Sequence, residues 1–171
     1  MCIRDRNMDE AFKLYMKAAE HGSVIAEHRV GQCFMKGAGT EKNPEQAVFW
    51  YTKAAEQGLA SAQMDLGVCY SFGNGVKQSD TEAMKWFKKA ADQGYPRAQF
   101  AVGNCYQKGA GVPKNPEIAM EWIRRAADQG YADAQLYLGI CFLNGVDVPQ
   151  NKEEGIALIR QAAQTGNCLL Y

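Results

Sequence analysis

Glycine recurs at Gly22, Gly58, Gly94, Gly130 and Gly166, each 36 residues after the last. An alanine pair precedes every one: Ala18-Ala19, Ala54-Ala55, Ala90-Ala91, Ala126-Ala127 and Ala162-Ala163. Four more columns keep the same interval. They are Gly31, Gly67, Gly103 and Gly139; Cys33, Cys69, Cys105 and Cys141; Phe34, Tyr70, Tyr106 and Phe142; and Gly37, Gly73, Gly109 and Gly145. No residue is inserted or deleted between copies. A fixed period of this length marks one supersecondary unit copied in tandem. Such a unit cannot bury its apolar surface alone, so neighbouring copies must stack.

Each copy reads as two helices. Helix B opens at Asn7, Asn43, Ser79, Asn115 and Asn151, residues whose side-chain oxygen accepts from an orphan backbone N–H. Glu10, Gln46, Glu82 and Glu154 follow three residues on, which predicts capping boxes in four of the five copies. Pro44 and Pro116 stand at the first helical position, where a missing N–H costs nothing. Helix B ends near the Gly22 column, and glycine suits a left-handed C-cap. Helix A follows over 24–36, 60–72, 96–108 and 132–144 and stops at the Gly37 column. The next loop carries Gly39, Gly75 and Gly111, with Asp147 in the last copy. Aspartate enters the left-handed region more readily than most residues.

Apolar residues fall at helical spacing in both helices. Ala26, Val30, Cys33 and Phe34 form a stripe on helix A, and Val48, Tyr51, Ala54 and Ala55 form one on helix B. Glycine in mid-helix costs ~1 kcal/mol against alanine, so its recurrence at Gly31 and its copies predicts a neighbouring helix crossing there. The expected fold is an all-α solenoid of antiparallel helix hairpins. The array spans 7–167, about four and a half repeats. Residues 1–6, Met1-Cys2-Ile3-Arg4-Asp5-Arg6, and 168–171, Cys168-Leu169-Leu170-Tyr171, look like translated sequencing-adaptor sequence. They are expected to be non-native ends of a longer native chain, and no compartment is assigned.

Little in the sequence carries chemistry. Lys plus Arg balance Asp plus Glu, 19 against 19, which gives no electrostatic case for nucleic acid or an anionic membrane. None of Ser23, Ser61, Ser71 and Ser79 opens an S-x-x-K motif or sits in G-x-S-x-G. The Gly-x-Gly loops follow helices rather than strands and read as turns. His21 and His28 lie on different helices and read as surface or groove histidines rather than metal ligands. The four array cysteines read as small buried hydrophobes, reduced and unbonded to one another. Trp50, Trp86 and Trp122 recur at the same period and read as inter-helix core. No catalytic residue, cofactor or metal site is expected.

Residues 47–76 carry Ala47, Trp50, Lys53-Ala54-Ala55, Gln57-Gly58, Ala62-Gln63, Leu66-Gly67, Cys69-Tyr70, Gly73 and Gly75-Val76. This pattern resembles the Sel-one-like repeat (SLR) family, a relative of the tetratricopeptide repeat, and the resemblance covers 7–167. It implies an α/α superhelix and a role as a protein- or peptide-binding scaffold or adaptor. An alternative is a β-lactamase-type hydrolase, as claimed for cysteine-rich relatives; another is a purely structural spacer. Those relatives carry two cysteines per repeat, whereas each repeat here has one.

In tetratricopeptide-like arrays helix A lines the concave side, so the resemblance places a partner there. On helix A the columns that change between copies hold the candidate groove. They include Arg29, Gln32 and Lys36; Asp65, Val68 and Phe72; Arg97, Ala101, Asn104 and Lys108; and Asp133, Tyr137, Ile140 and Asn144. Offsets of 3 and 7, or of 4, 7 and 11, keep each set on one helical face. Phe72 and Tyr137 are the expected anchors, and neither repeats in its column. At the array ends Phe12, Tyr15, Ile156 and Ile159 leave packing positions open, which predicts self-association or fraying there.

Overall fold

The computed structural model describes residues 3–167, and all their regular structure is helical. Nine helices run in order: α1 (Ile3–Glu20), α2 (Val24–Lys36), α3 (Pro44–Glu56), α4 (Ala60–Phe72), α5 (Asp80–Asp92), α6 (Pro96–Lys108), α7 (Pro116–Asp128), α8 (Ala132–Asn144) and α9 (Lys152–Asn167), counted among the described residues. Even-numbered helices are helix A and odd-numbered ones helix B. The chain divides into two compact units, the first ending at Ala90 and the second beginning at Ala91. In the first, α2 packs on both α1 and α3, and α3 on α4. In the second, α7 packs on α6 and α8, and α8 on α9. Of the two ends read as foreign, Met1, Cys2 and residues 168–171 lie outside the described residues.

The caps follow the chemistry of the sequence with one difference. Asn43 Oδ1 accepts from the Gln46 N–H at 3.1 Å, and Asn115 Oδ1 from Ile118 at 3.0 Å. Ser79 and Asn151 cap α5 and α9 in the same way. The reciprocal arm of the capping box is not made at Asn43, Ser79 or Asn151. There the N–H of the cap residue donates instead to the carbonyl of the aromatic nine residues earlier: Asn43 to Phe34, Ser79 to Tyr70 and Asn151 to Phe142. Asn115 does the same to Tyr106. The last turn of helix A has orphan carbonyls in need of donors, and a backbone N–H held there by the loop outcompetes a side chain that must be ordered first. At the chain's start α1 runs from Ile3 straight through Asn7 rather than opening there. No glycine loop precedes Asn7, and Arg4, Asp5 and Arg6 carry no strong penalty in a helix.

Asp147 is the only non-glycine residue with positive φ among the described residues, at 60°, in the loop column that holds glycine in earlier repeats. The mid-helix glycines mark the predicted crossings. A Cβ on Gly31 would lie 2.6 Å from the Tyr51 ring, and one on Gly67 2.5 Å from the Phe87 ring. Helix B of the same repeat therefore crosses helix A at these points.

The cores use the predicted stripes. In the first unit Ala47, Tyr51, Ala54, Ala55, Ala62, Leu66 and Cys69 form one buried cluster, and Ala19, Ala26, Val30 and Trp50 another. In the second, Met120, Ile123, Ala126, Ala127, Ala134, Leu138, Cys141, Phe142 and Val148 cluster together. Buried glutamines add a polar device. Gln63, Gln99 and Gln135 donate from Nε2 to the carbonyls of Ala55, Ala91 and Ala127, adding a side-chain donor to carbonyls that also accept from the N–H groups of Gly58, Gly94 and Gly130 at the end of the preceding helix B. Glu27 stands in that column, cannot donate as a carboxylate, and accepts from Gln57. In the tryptophan column Trp50 is buried core and Trp86 packs against the first unit's cluster, while Trp122 is half-buried. Each indole also carries a cation from the residue three positions on. Lys53 Nζ stands 4.9 Å from the Trp50 ring, Lys89 Nζ 4.0 Å from Trp86, and the Arg125 guanidinium 4.6 Å from Trp122.

The four array cysteines are free thiols. Cys69, Cys105 and Cys141 are buried, whereas Cys33 is half-exposed, which corrects the expectation that all four are enclosed. Burial, with the Asp65 charge adding to it, pushes the Cys69 thiol from 9.0 up to about 11. Burial raises Cys33 too, but the Arg29 and Lys36 charges pull the other way. Only the thiolate is nucleophilic. Timed iodoacetamide labelling of the native chain at pH 8, read by mass spectrometry, is therefore expected to mark Cys33 well before Cys69. Cys69 labelling should accelerate as pH climbs toward 11. Equal rates at the two sites would contradict this ordering.

Candidate functional site: the variable face of helix A

None of the fourteen groove residues named from the sequence is buried. Arg29, Lys36 and Phe72 are exposed in the first unit, with Gln32, Asp65 and Val68 partly covered. In the second unit Arg97, Lys108, Asp133, Ile140 and Asn144 are exposed, and Ala101, Asn104 and Tyr137 partly covered. The positions beside them belong to the core: Val30 and Leu66 in the first unit, Val102 and Leu138 in the second. The face is thus set by helical period, since columns one position apart are turned by ~100°.

Two expected anchors differ in kind. Phe72 ends α4 and is 72% exposed. Tyr137 leans on the second unit's core, its ring centroid 6.2 Å from that of Phe100 in an edge-to-face pair. Burial raises the Tyr137 hydroxyl above its ordinary value, with Cys141 and Asp147 adding to the shift.

A polar cluster joins the two helices A of the first unit. His28 Nε2 donates to the Asp65 carboxylate at 2.8 Å, and Gln32 Nε2 approaches the same oxygen at 3.4 Å. Ser61 Oγ lies 3.3 Å from His28 Nδ1, and the Tyr51 ring stands 5.6 Å from the imidazole. His28 is 7% exposed, so the expectation of a surface or groove histidine is corrected: it is a buried joint between α2 and α4. His21 is exposed, with Nδ1 donating to the Lys17 carbonyl at 2.7 Å. The column of His28 otherwise holds Met64, Phe100 and Leu136. Met64 in that column is buried as well, whereas Leu136 is exposed. His28 and Asp65 are 37 residues apart, and so are Phe100 and Tyr137, which make the equivalent contact in the second unit. The same joint is polar in one unit and aromatic in the other.

Among the described residues no three His, Cys, Asp or Glu side chains group as a metal site. No helix among them is long and apolar enough to cross a membrane.

Helix hairpins repeating every 36 residues, with a fixed core and a variable helix-A face, define a tandem α-solenoid repeat protein. The chain belongs to the Sel1 repeat family, whose model matches residues 4–23, 24–59, 60–95, 96–131 and 132–167. It is similar to a Sel1 repeat protein from Oxalobacter formigenes, with 35% identity and a TM-score of 0.87 over 93% of this chain and 63% of that one. It is similar also to a protective antigen present in uropathogenic Escherichia coli strains and displaying an SLR fold. There the identity is 38% and the TM-score 0.84, covering 93% of this chain and 34% of that one. An immunity protein from Pseudomonas aeruginosa shares 26% identity at a TM-score of 0.65, over 91% of this chain and 57% of the other. The chain therefore spans less than two thirds of the length of each. A search of the curated proteins finds no match.

Proposed function

We propose that this chain is a protein-interaction scaffold whose helix-A face binds a protein or peptide partner. The observation that carries the reading is the contrast between columns. Positions that repeat, such as Val30, Leu66, Ala54 and Gly67, are spent on packing. The fourteen that vary on helix A all reach the surface. Sel1 repeat proteins commonly act as interaction scaffolds, which supports the same reading. Ser61, His28 and Asp65 are residue types used in nucleophilic hydrolysis, but we read them as a joint. The imidazole is enclosed, and two aromatic rings do the same work in the second unit. A nitrocefin assay of the intact chain should accordingly show no turnover.

The test is site-specific photocrosslinking. Benzoylphenylalanine at Phe72 or Ile140 on helix A should trap partner proteins from a bacterial lysate. The same probe at Phe49 or Ile156, exposed on helix B, should not. Equal trapping from both helices would show that the face is misassigned.

A further inference from the structure

The helix-A face of the first unit carries charge that the fold leaves uncompensated. Its one carboxylate, Asp65, is held by His28 at 2.8 Å. Glu27, the acidic residue in the first turn of α2, is buried and takes its hydrogen bond from Gln57. Arg29 donates to the neutral Gln32 amide at 3.0 Å, and neither Arg29 nor Lys36 makes an ion pair among the described residues. Both cations are exposed. They sit seven residues apart on α2, about 10 Å along the helix and two turns on one face. An extended peptide covers that distance in about three residues.

Apolar surface flanks the pair at both ends. Ile25 stands one turn before Arg29 and is 66% exposed. Phe72 shares a column with Lys36, and the His28–Asp65 contact fixes α2 beside α4 in that register. Such exposed apolar residues beside unpaired cations differ from a merely solvated face, where cations and carboxylates alternate. We propose that this face receives an acidic peptide segment of a partner protein, its carboxylates against Arg29 and Lys36 and its apolar side chains against Ile25 and Phe72. The proposal rests on the helix-A reading above and adds the chemistry of the occupant. The cations would steer and orient the segment, and the apolar ends would hold it.

The probe is a fluorescein-labelled peptide of alternating glutamate and leucine, titrated with the intact chain by anisotropy. Its glutamine–leucine and lysine–leucine counterparts and an oligothymidylate of matched charge complete the set. The acidic peptide should bind at least about tenfold tighter than the other three, and its affinity should fall as salt rises. R29E/K36E should abolish that preference, and F72A should weaken binding of the acidic peptide. K114E, an exposed lysine of the second unit, should change nothing. R29Q/K36Q, which removes both charges and keeps polar side chains in place, serves if the reversal impairs folding as judged by circular dichroism. No binding, equal binding of acidic and basic peptides, oligothymidylate binding as tight, or an unchanged R29Q/K36Q would each overturn the proposal. Crosslinks at Phe72 without an acidic preference would overturn the chemistry and leave the face standing; loss of those crosslinks would remove the face itself.

Discussion

Replacing Gly67 by alanine is expected to destabilise the first unit by roughly 2 kcal/mol, although alanine is the better helix former by ~1 kcal/mol. The added Cβ would lie 2.5 Å from the Phe87 ring and 3.2 Å from the Ala83 carbonyl oxygen. Phe87 is itself buried, so its ring has no free space into which to swing. Overpacking of a tight core costs ~1–3 kcal/mol and occasionally more, which exceeds the gain in propensity. Urea unfolding followed by circular dichroism measures the change. A cycle with Phe87→Ala isolates the cause, because shortening the ring relieves the clash. The double variant should be more stable than the sum of the single losses allows. A Gly67→Ala chain as stable as the parent would mean that α4 and α5 are further apart than described.

His28→Ala should cost about 2–3 kcal/mol, since it opens space beside Tyr51 and removes the donor that satisfies Asp65. The sharper experiment transplants the joint. In the second unit Phe100 and Tyr137 occupy the places of His28 and Asp65. H28F alone takes the closest donor from Asp65, and D65Y alone leaves the buried imidazole without its carboxylate acceptor. Each single change should lower the melting midpoint. H28F/D65Y restores a matched pair, and edge-to-face rings contribute ~0.5–1.5 kcal/mol beyond their burial. The double variant should return close to the parent, with a coupling energy of at least about 1 kcal/mol. Strict additivity of the two losses would show that the residues act separately and that the joint is not a unit.

Most of the architecture was legible because it is written five times. A cap, a stop or a crossing glycine that recurs at a fixed interval reports a backbone requirement, and the helix bounds follow from Asn43, Gly37 and their copies. What the sequence hid lies where a column is broken. His28 stands in an otherwise apolar column whose members range from buried Met64 to exposed Leu136, so its burial follows from the α2–α4 contact rather than from the column. The capping boxes were half right, because the competing donor, which recurs every 36 residues in the loop, is a backbone group with no letter of its own. The tryptophan cations were missed although the three-residue spacing of Trp50 and Lys53 recurs at Trp86 and Lys89. As for the groove, period alone brought its residues to the surface side. The polarity of the joint beneath Asp65 depends on a contact between residues 37 apart, which no single-copy pattern displays.

The bond from each helix-B cap to the aromatic carbonyl nine residues earlier acts as a length gauge. Phe34 to Asn43, Tyr70 to Ser79, Tyr106 to Asn115 and Phe142 to Asn151 all close the same ring of backbone. One residue more or less in that loop would break the shared nine-residue spacing, and the cap N–H could then reach the aromatic carbonyl only by reshaping the loop. Variation is thereby confined to substitution within a copy or to gain and loss of whole copies. A binding face built this way can be lengthened in steps of one complete repeat, with every new position arriving already in register.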